Sequence, residues 1–261
     1  YATRFELHQE EGYQILRIKE PWVGSNRTYD YLLLEQNQEI PTEVDYHGLL
    51  RVPVERLVVT STTHVAALEI LGEENSLIGF PELNLISSEA TRTRIAAGAI
   101  AELGKNEALN TEIILELDPD LVVGFSIDGS NRTFNNLQKS GIPVIFNADW
   151  LEETPLGKAE WIKFFGAILG KSQKADTFFA QVERDYHQAK VLAREATASP
   201  SVMSGSLFQD QWFLPAGESW HAAFLADANA NYLFADTPGT GSLTLSLEAV
   251  LGKAHDADFW I

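Results

Sequence analysis

The run Thr60-Ser61-Thr62-Thr63-His64 sets hydroxyls and an imidazole in succession, directly after the apolar triplet Leu57-Val58-Val59 and before a helix-like stretch ending at Gly72. A turn between a strand and a helix carries outward-pointing backbone N–H groups, and open α/β sheets bind their ligands at such turns. These side chains suit hydrogen bonding to a ligand oxygen. They also suit a purely structural role, because Ser and Thr are preferred helix caps, and His64 reads more readily as a turn or capping histidine than as a metal ligand.

Other reactive constellations are poor. The six histidines, His8, His47, His64, His187, His221 and His255, form no i, i+4 pair and no His/Glu cluster with metal-ligand spacing, so no metal site is expected. Ser126 in "GFSIDG" has Asp128 where a nucleophile elbow needs glycine. "GTGSLT", around Gly239 and Gly241, lacks the third glycine of a dinucleotide fingerprint and reads as a loop, and there is no phosphate-binding P-loop. Cysteine is absent, which excludes thiolate chemistry and disulfides. No catalytic residue and no cofactor is therefore expected. The aromatic segment "SLFQDQWFLPAGESWHAAF" is more informative. It holds Phe208, Trp212, Phe213 and Trp220 together with Pro215 and Gly217, so some of these rings are expected in loops. Loop tryptophans at the carboxyl edge of a sheet line ligand clefts, with core filling as the alternative for each ring.

The chain of 261 residues carries 37 acidic and 19 basic side chains, a formal charge of −18. Such a surface repels phosphate backbones and anionic lipid headgroups, so nucleic acid is not an expected partner. No apolar run approaches the roughly 20 residues needed to span a bilayer. Tyr1 is not Met and no basic-then-apolar segment precedes it, so the chain looks like a processed or recombinant mature form.

The elements that must position these groups fall into four parts. Residues 1–50 alternate apolar and polar positions around a Glu-Glu-Gly turn and read as an antiparallel β appendage. Residues 51–150 alternate short apolar runs ("LVVTS", "SLIGF", "DLVVGF", "PVIFN") with helical stretches, which predicts an α/β lobe with a mostly parallel sheet. Residues 151–197 predict a long helical link opened by Pro155 and broken at Gly170. Residues 198–261 resume the α/β pattern, with "VMSGSLF" as a strand, "ESWHAAFLADA" as a helix and "DADFWI" as a final strand. About sixty residues is small for a lobe, so this one reads as incomplete. An internal echo relates the lobes: "LNTEIILELDPDLVVGF" and "LSLEAVLGKAHDADFWI" each place a glutamate, Glu112 or Glu248, in the first turn of a helix that leads to a strand.

Taken in order, "PVERLVVTSTTHVAALEILG", "NTEIILELDPDLVVGF", "SGIPVIF", the long "AEWIKFFGAILGKSQKADTFFAQVERDY" and "AFLADANANYLFAD…GTGSLTLSLEAVLGKAHDADFWI" resemble the substrate-binding proteins of ABC importers for iron-siderophores, haem and cobalamin. The resemblance covers roughly Val52 to Ile261 and rests on the order and spacing of several segments. It implies two α/β lobes joined by one rigid helix, with a ferric siderophore, haem or cobalamin held between them and small domain motion on binding. It further implies that Thr60, Ser61, Thr62, His64 and Phe125 line the wall from one lobe and Trp212 and Trp220 the wall from the other. Glu112 and Glu248 would meet arginines of an ABC transporter permease dimer. The β appendage is similar to that of lipoprotein members from Bacteroidetes-type bacteria, which implies a periplasmic or cell-surface location through a lipid anchor absent from this chain. Family members usually continue beyond "DADFWI", and many have Gly-Gly where Asn229-Ala230 stand. Local groups such as Arg132 would outweigh the net charge near the ligand, because salt screens long-range repulsion over about 8 Å. An α/β enzyme using the same cleft, or an interaction module without a ligand, would carry the same architecture.

Overall fold

The computed structural model describes residues 1–125 and 132–261. The chain forms two compact units, one of Thr3–Asp149 with Trp161–Phe178, the other of Tyr1–Ala2, Trp150–Glu160 and Phe179–Ile261. The segment expected as a link at 151–197 is thus shared between them. Ser126 and Asp128 lie outside the described residues, and the reading of "GFSIDG" with them.

The N-terminal unit opens with a four-stranded sheet of β1 (Phe5–Glu10), β2 (Tyr13–Lys19), β3 (Thr28–Glu35) and β4 (Gly48–Val52), in that spatial order. The first three strands pair antiparallel, with Phe5 opposite Ile18 and Ile15 opposite Leu32, and β4 adds in parallel to β3. Leu16 and Ile18 of β2 are buried on the face that Tyr31 and Leu33 share, and Leu32 and Leu34 on the opposite face, so β3 is covered on both sides. The second sheet is built from β5 (Leu57–Val59), β6 (Leu77–Phe80), β7 (Ala101–Glu102), β10 (Leu121–Gly124) and β11 (Val144–Phe146), all parallel, in the order β11-β10-β5-β6-β7. A short hairpin, β8 (Gly104–Lys105) with β9 (Ala108–Leu109), follows β7. The four apolar runs expected as strands are β5, β6, β10 and β11. Connections run through α1 (Thr62–Leu71), α2 (Glu89–Ala96), α3 (Thr111–Leu117) and α4 (Arg132–Lys139). The core of this unit joins Val58, Val122 and Val144 from the strands to Ile114, Phe134 and Leu137 from the helices.

The region after Pro155 is three helices, α5 (Pro155–Glu160), α6 (Ile162–Ile168) and α7 (Ser172–Glu195). The break at Gly170 has φ +66°, a left-handed conformation that suits glycine. At 24 residues α7 is about 36 Å long.

The C-terminal unit contains a parallel sheet of β12 (Ser201–Met203), β15 (Asn231–Tyr232) and β17 (Phe259–Trp260), ordered β15-β12-β17. A second, antiparallel sheet is made by β13 (Ser206–Phe208), β14 (Gln211–Pro215) and β16 (Ser242–Ser246), with β14 in the middle. Helices α8 (Trp220–Asp227) and α9 (Leu247–Ala254) complete it. Two expectations are corrected. "VMSGSLF" is two strands in different sheets, divided at Gly205, where φ is +105° and a Cβ would meet the Phe213 carbonyl oxygen at 2.1 Å. "GTGSLT" is not wholly loop, because its Ser242-Leu243-Thr244 begin β16. The core here gathers Trp212, Leu214, Tyr232, Phe234 and Val250.

The inner face of α1 carries His64, Val65, Leu68 and Leu71, all buried, at helical spacing. The His64 ring lies 5.4 Å from that of Phe165 on α6, and neither ring nitrogen has a hydrogen-bond partner. Burial pulls its pKa down from 6.5 to about 4, against a smaller upward pull from the Asp149 carboxylate. Between those values the unfolded chain takes up the proton and the folded one does not. Stability is therefore complete above pH 6.5 and falls as pH drops, by about 3 kcal/mol at pH 4 from this ring alone. Urea unfolding measured from pH 7 to pH 4 is expected to show this loss, and His64→Leu to flatten it. An unchanged pH slope in the variant would contradict the assignment.

Candidate functional site

The carboxyl ends of β5, β10 and β11 converge in the N-terminal unit. Thr60, 4% exposed, accepts a hydrogen bond through Oγ1 from the Phe125 amide at 3.2 Å, which ties the end of β5 to the end of β10. Ser61 caps α1, its hydroxyl accepting from the Thr63 amide at 3.4 Å and lying 3.0 Å from the Thr63 hydroxyl. The Thr63 hydroxyl donates to Asp149 at 3.0 Å, and Asp149 is held in turn by its amide donating to Asn147 Oδ1 at 2.8 Å. Such a cap contributes about 1 kcal/mol, enough to explain one hydroxyl but not the whole run.

These bonds sort the expected residues. Thr60 is a structural tie. Ser61 and Phe125 are half-buried and Thr62 is exposed, so these three have open surface at the strand ends. His64 is fully buried against α6, because the helical repeat carries it to the inner face of α1. Sequence reasoning did not single out Asn147 or Asp149, although both follow a predicted strand as Ser61 does. The Asn147 side chain is buried and its Nδ2 has no partner.

The C-terminal unit has its own cluster at the end of β12. Trp212 is 6% exposed, packs on Trp260 with centroids 5.4 Å apart, and donates through Nε1 to the Ser204 carbonyl at 3.1 Å. Its ring belongs to the core, because Trp212 alternates inward on β14, which decides for this ring between the cleft and the core-filling alternatives in favour of the core. Trp220 opens α8, half-buried, with the Lys158 ammonium of α5 5.2 Å from its ring centre, a cation–π arrangement. Beside it, His221 Nε2 lies 3.2 Å from the Ser204 hydroxyl, and burial lowers the His221 pKa. A hydroxyl–imidazole pair is two of the three members of a nucleophilic triad, but Ser204 is only 3% exposed, so the contact fits side-chain positioning better than attack on a substrate. Sequence reasoning does not single out Ser204 or Lys158, and it names His221 only among the histidines without metal-ligand spacing. The available signal was that Ser204 follows β12 as Thr60 and Ser61 follow β5. Among the described residues, no group of three or more His, Asp or Glu side chains is placed to hold a metal ion.

Glu112 and Glu248 are each the second residue of their helix, and both are exposed. The caps match as well: Asn110 accepts from the Ile113 amide and Ser246 from the Ala249 amide, each at 3.2 Å.

Among solved structures, a periplasmic binding protein of Veillonella parvula superposes with a TM-score of 0.66 at 16% identity, over 94% of this chain and 72% of that one. The periplasmic heme-binding protein RhuT of Roseiflexus superposes with a TM-score of 0.59 at 25% identity, over 76% of this chain and 73% of its own. An uncharacterized lipoprotein of Methanocaldococcus jannaschii is 26% identical over 253 residues, which is 88% of this chain and 58% of the relative. The chain spans between half and two thirds of the length of the relatives it matches in sequence. A family model for periplasmic binding proteins matches residues 57–261, and with the two α/β units described above the chain belongs to the periplasmic binding protein family.

Proposed function

We propose that the protein is an extracytoplasmic solute-binding protein that captures a chelated iron complex and delivers it to the permease of an ABC importer. The observation that carries this reading is the family match over residues 57–261. The heme-binding name of RhuT, at 25% identity, supports the ligand class, and the lipoprotein names of the archaeal relatives support a location outside the cytoplasm by lipid anchorage. Among the described residues no helix is long and apolar enough to cross a membrane.

In this reading each unit offers its own groups to a ligand. In the N-terminal unit Ser61 and Thr62, with the N–H groups opening α1, suit ligand oxygens and Phe125 an apolar face; in the C-terminal unit Trp220 suits an apolar face. Thr60 and Trp212 act from beneath, by holding the strand ends and the Ser204 backbone. His64 contributes through the seating of α1. Iron arrives already chelated, so the protein need not supply a full set of metal ligands.

Titration with haem, ferric siderophores and cobalamin, followed by tryptophan fluorescence, tests the reading. One of these ligands is expected to quench the emission, and Trp220→Ala or Thr62→Val to weaken its binding by roughly threefold to tenfold. Failure of all of them to bind would overturn the proposal.

Glu112 and Glu248 are proposed as the permease contacts, one on each unit. Their helix-start position accounts for only about 0.3–1 kcal/mol each. Exposed rim charges mainly set association rate and its salt dependence. The double variant Glu112→Lys with Glu248→Lys is thus expected to abolish uptake in cells while leaving ligand affinity and thermal stability close to the parent. Normal transport by this variant would remove the two glutamates from the docking surface.

A further inference from the structure

Within the C-terminal unit, α7 packs on one side and is open to solvent on the other. Tyr186 and Lys190 turn toward α8, where the Tyr186 hydroxyl donates to Asp227 at 2.7 Å and the Lys190 ammonium pairs with the same carboxylate. At about 100° per residue, the positions on the opposite side are Arg184, Gln188, Val191 and Glu195, and all four are exposed. Their steps of four, three and four residues are those of the a and d positions of a coiled coil, so they form one straight seam about 17 Å long. Val191 is 54% exposed, and Leu192, about 70° round the helix from the seam, is 68% exposed. With His187 and Gln188 these two side chains rim a surface hollow of about 470 Å³.

The order of residues on the seam says what covers it. Counted outward from the midpoint between residues 189 and 190, Gln188 and Val191 lie at equal distances on either side, and so do Arg184 and Glu195. A copy of the helix laid antiparallel about that midpoint therefore sets Gln188 against Val191 and Arg184 against Glu195, each layer occurring twice, because a two-fold interface is self-complementary. A parallel copy would instead set Arg184 against Arg184 and Glu195 against Glu195. The two-fold also brings Leu192 of both copies to the same side of the seam. In the single chain these charges are not neutralised: Arg184 donates to the Gln181 side chain at 2.6 Å, and among the described residues neither Arg184 nor Glu195 joins an ion pair. Glu195 is also the last residue of α7, the end at which the helix dipole disfavours a carboxylate. The stability of the helix does not account for it there, whereas an arginine from a second helix would offset its charge.

We propose that the exposed seam of α7 from Arg184 to Glu195 is a self-association surface, on which a second copy of this chain packs antiparallel about a two-fold axis. Arg184 and Glu195 set the register and direction, and Val191 with Leu192 supplies the apolar burial. A seam this short buries less than the roughly 1,200–2,000 Å² of a stable interface, so the dimer is weak, with a dissociation constant on the order of 10⁻⁴ M. The inference does not depend on the solute-binding reading.

Sedimentation equilibrium of the full chain in low salt, from about 10 μM to about 1 mM, tests it. The samples are the parent, Arg184→Glu, Glu195→Arg, both substitutions in one chain, and an equimolar mixture of the two single variants, each checked for folding by circular dichroism. The parent is expected to form a dimer and nothing larger, and less of it as salt is raised. Each single variant brings like charges together twice and is expected to weaken the dimer about tenfold or more. The double variant restores opposite charges and is expected to regain the affinity of the parent, and the mixture to form a heterodimer although neither component dimerises well alone. Val191→Ser with Leu192→Ser removes the apolar centre without touching a charge; it is expected to weaken the dimer as well, and it remains informative if a charge variant fails to fold. A parent that stays monomeric up to about 1 mM would overturn the proposal. So would single variants or a serine pair that associate like the parent, or failure of the double variant or of the mixture to recover association.

Discussion

The pairing of β5 with β10 is the constraint on which the N-terminal unit depends. Every residue of both strands is buried, so the pair must be covered on both faces, and parallel strands reach that arrangement only through helical crossovers. All the strand-to-helix turns then emerge at one end of the sheet. The Thr60 hydroxyl fastens two of those turns by accepting from the Phe125 amide. That bond occupies the first hydroxyl of the run 60–63 and leaves Ser61 and Thr62 at the open surface, which takes its shape from the sheet.

Much of this was legible in the sequence because it depends on local pattern. The runs "LVV", "LIGF", "LVVG" and "VIF" are short, apolar and rich in branched residues, and no helix of useful length fits between their turn signals. The glutamates of the internal echo were legible for the same reason, as each follows a capping side chain by two residues. What the sequence hid is mostly register. Trp212 and Phe213 are neighbours with opposite destinations, and the choice between them is made by pairing with β16, some thirty residues further on. Ser242 to Ser246 sit beside two glycines, a composition that predicts loop, and without that strand the rings of β14 have no partner to orient them. His64 is a different case. Its spacing to Val65, Leu68 and Leu71 marks the inner face of α1, but a histidine among hydroxyls draws attention to the surface.

The two units use different physics at their open surfaces. At α1 the groups on offer are N–H donors and hydroxyls, directional and suited to oxygen. At α8 the group on offer is a ring, with one ammonium over Trp220. The strongly acidic character of the chain, −18 in formal charge, keeps the surface unattractive to polyanions.

The proposed role is carriage of a small chelate that is passed on unchanged. Native mass spectrometry of the protein purified from its source organism tests this most directly. The account predicts a fraction of molecules heavier by one small ligand, with that ligand released intact and bearing the isotope pattern of iron when the protein is unfolded. A population of bare polypeptide alone, or a bound molecule without a metal chelate, would contradict it.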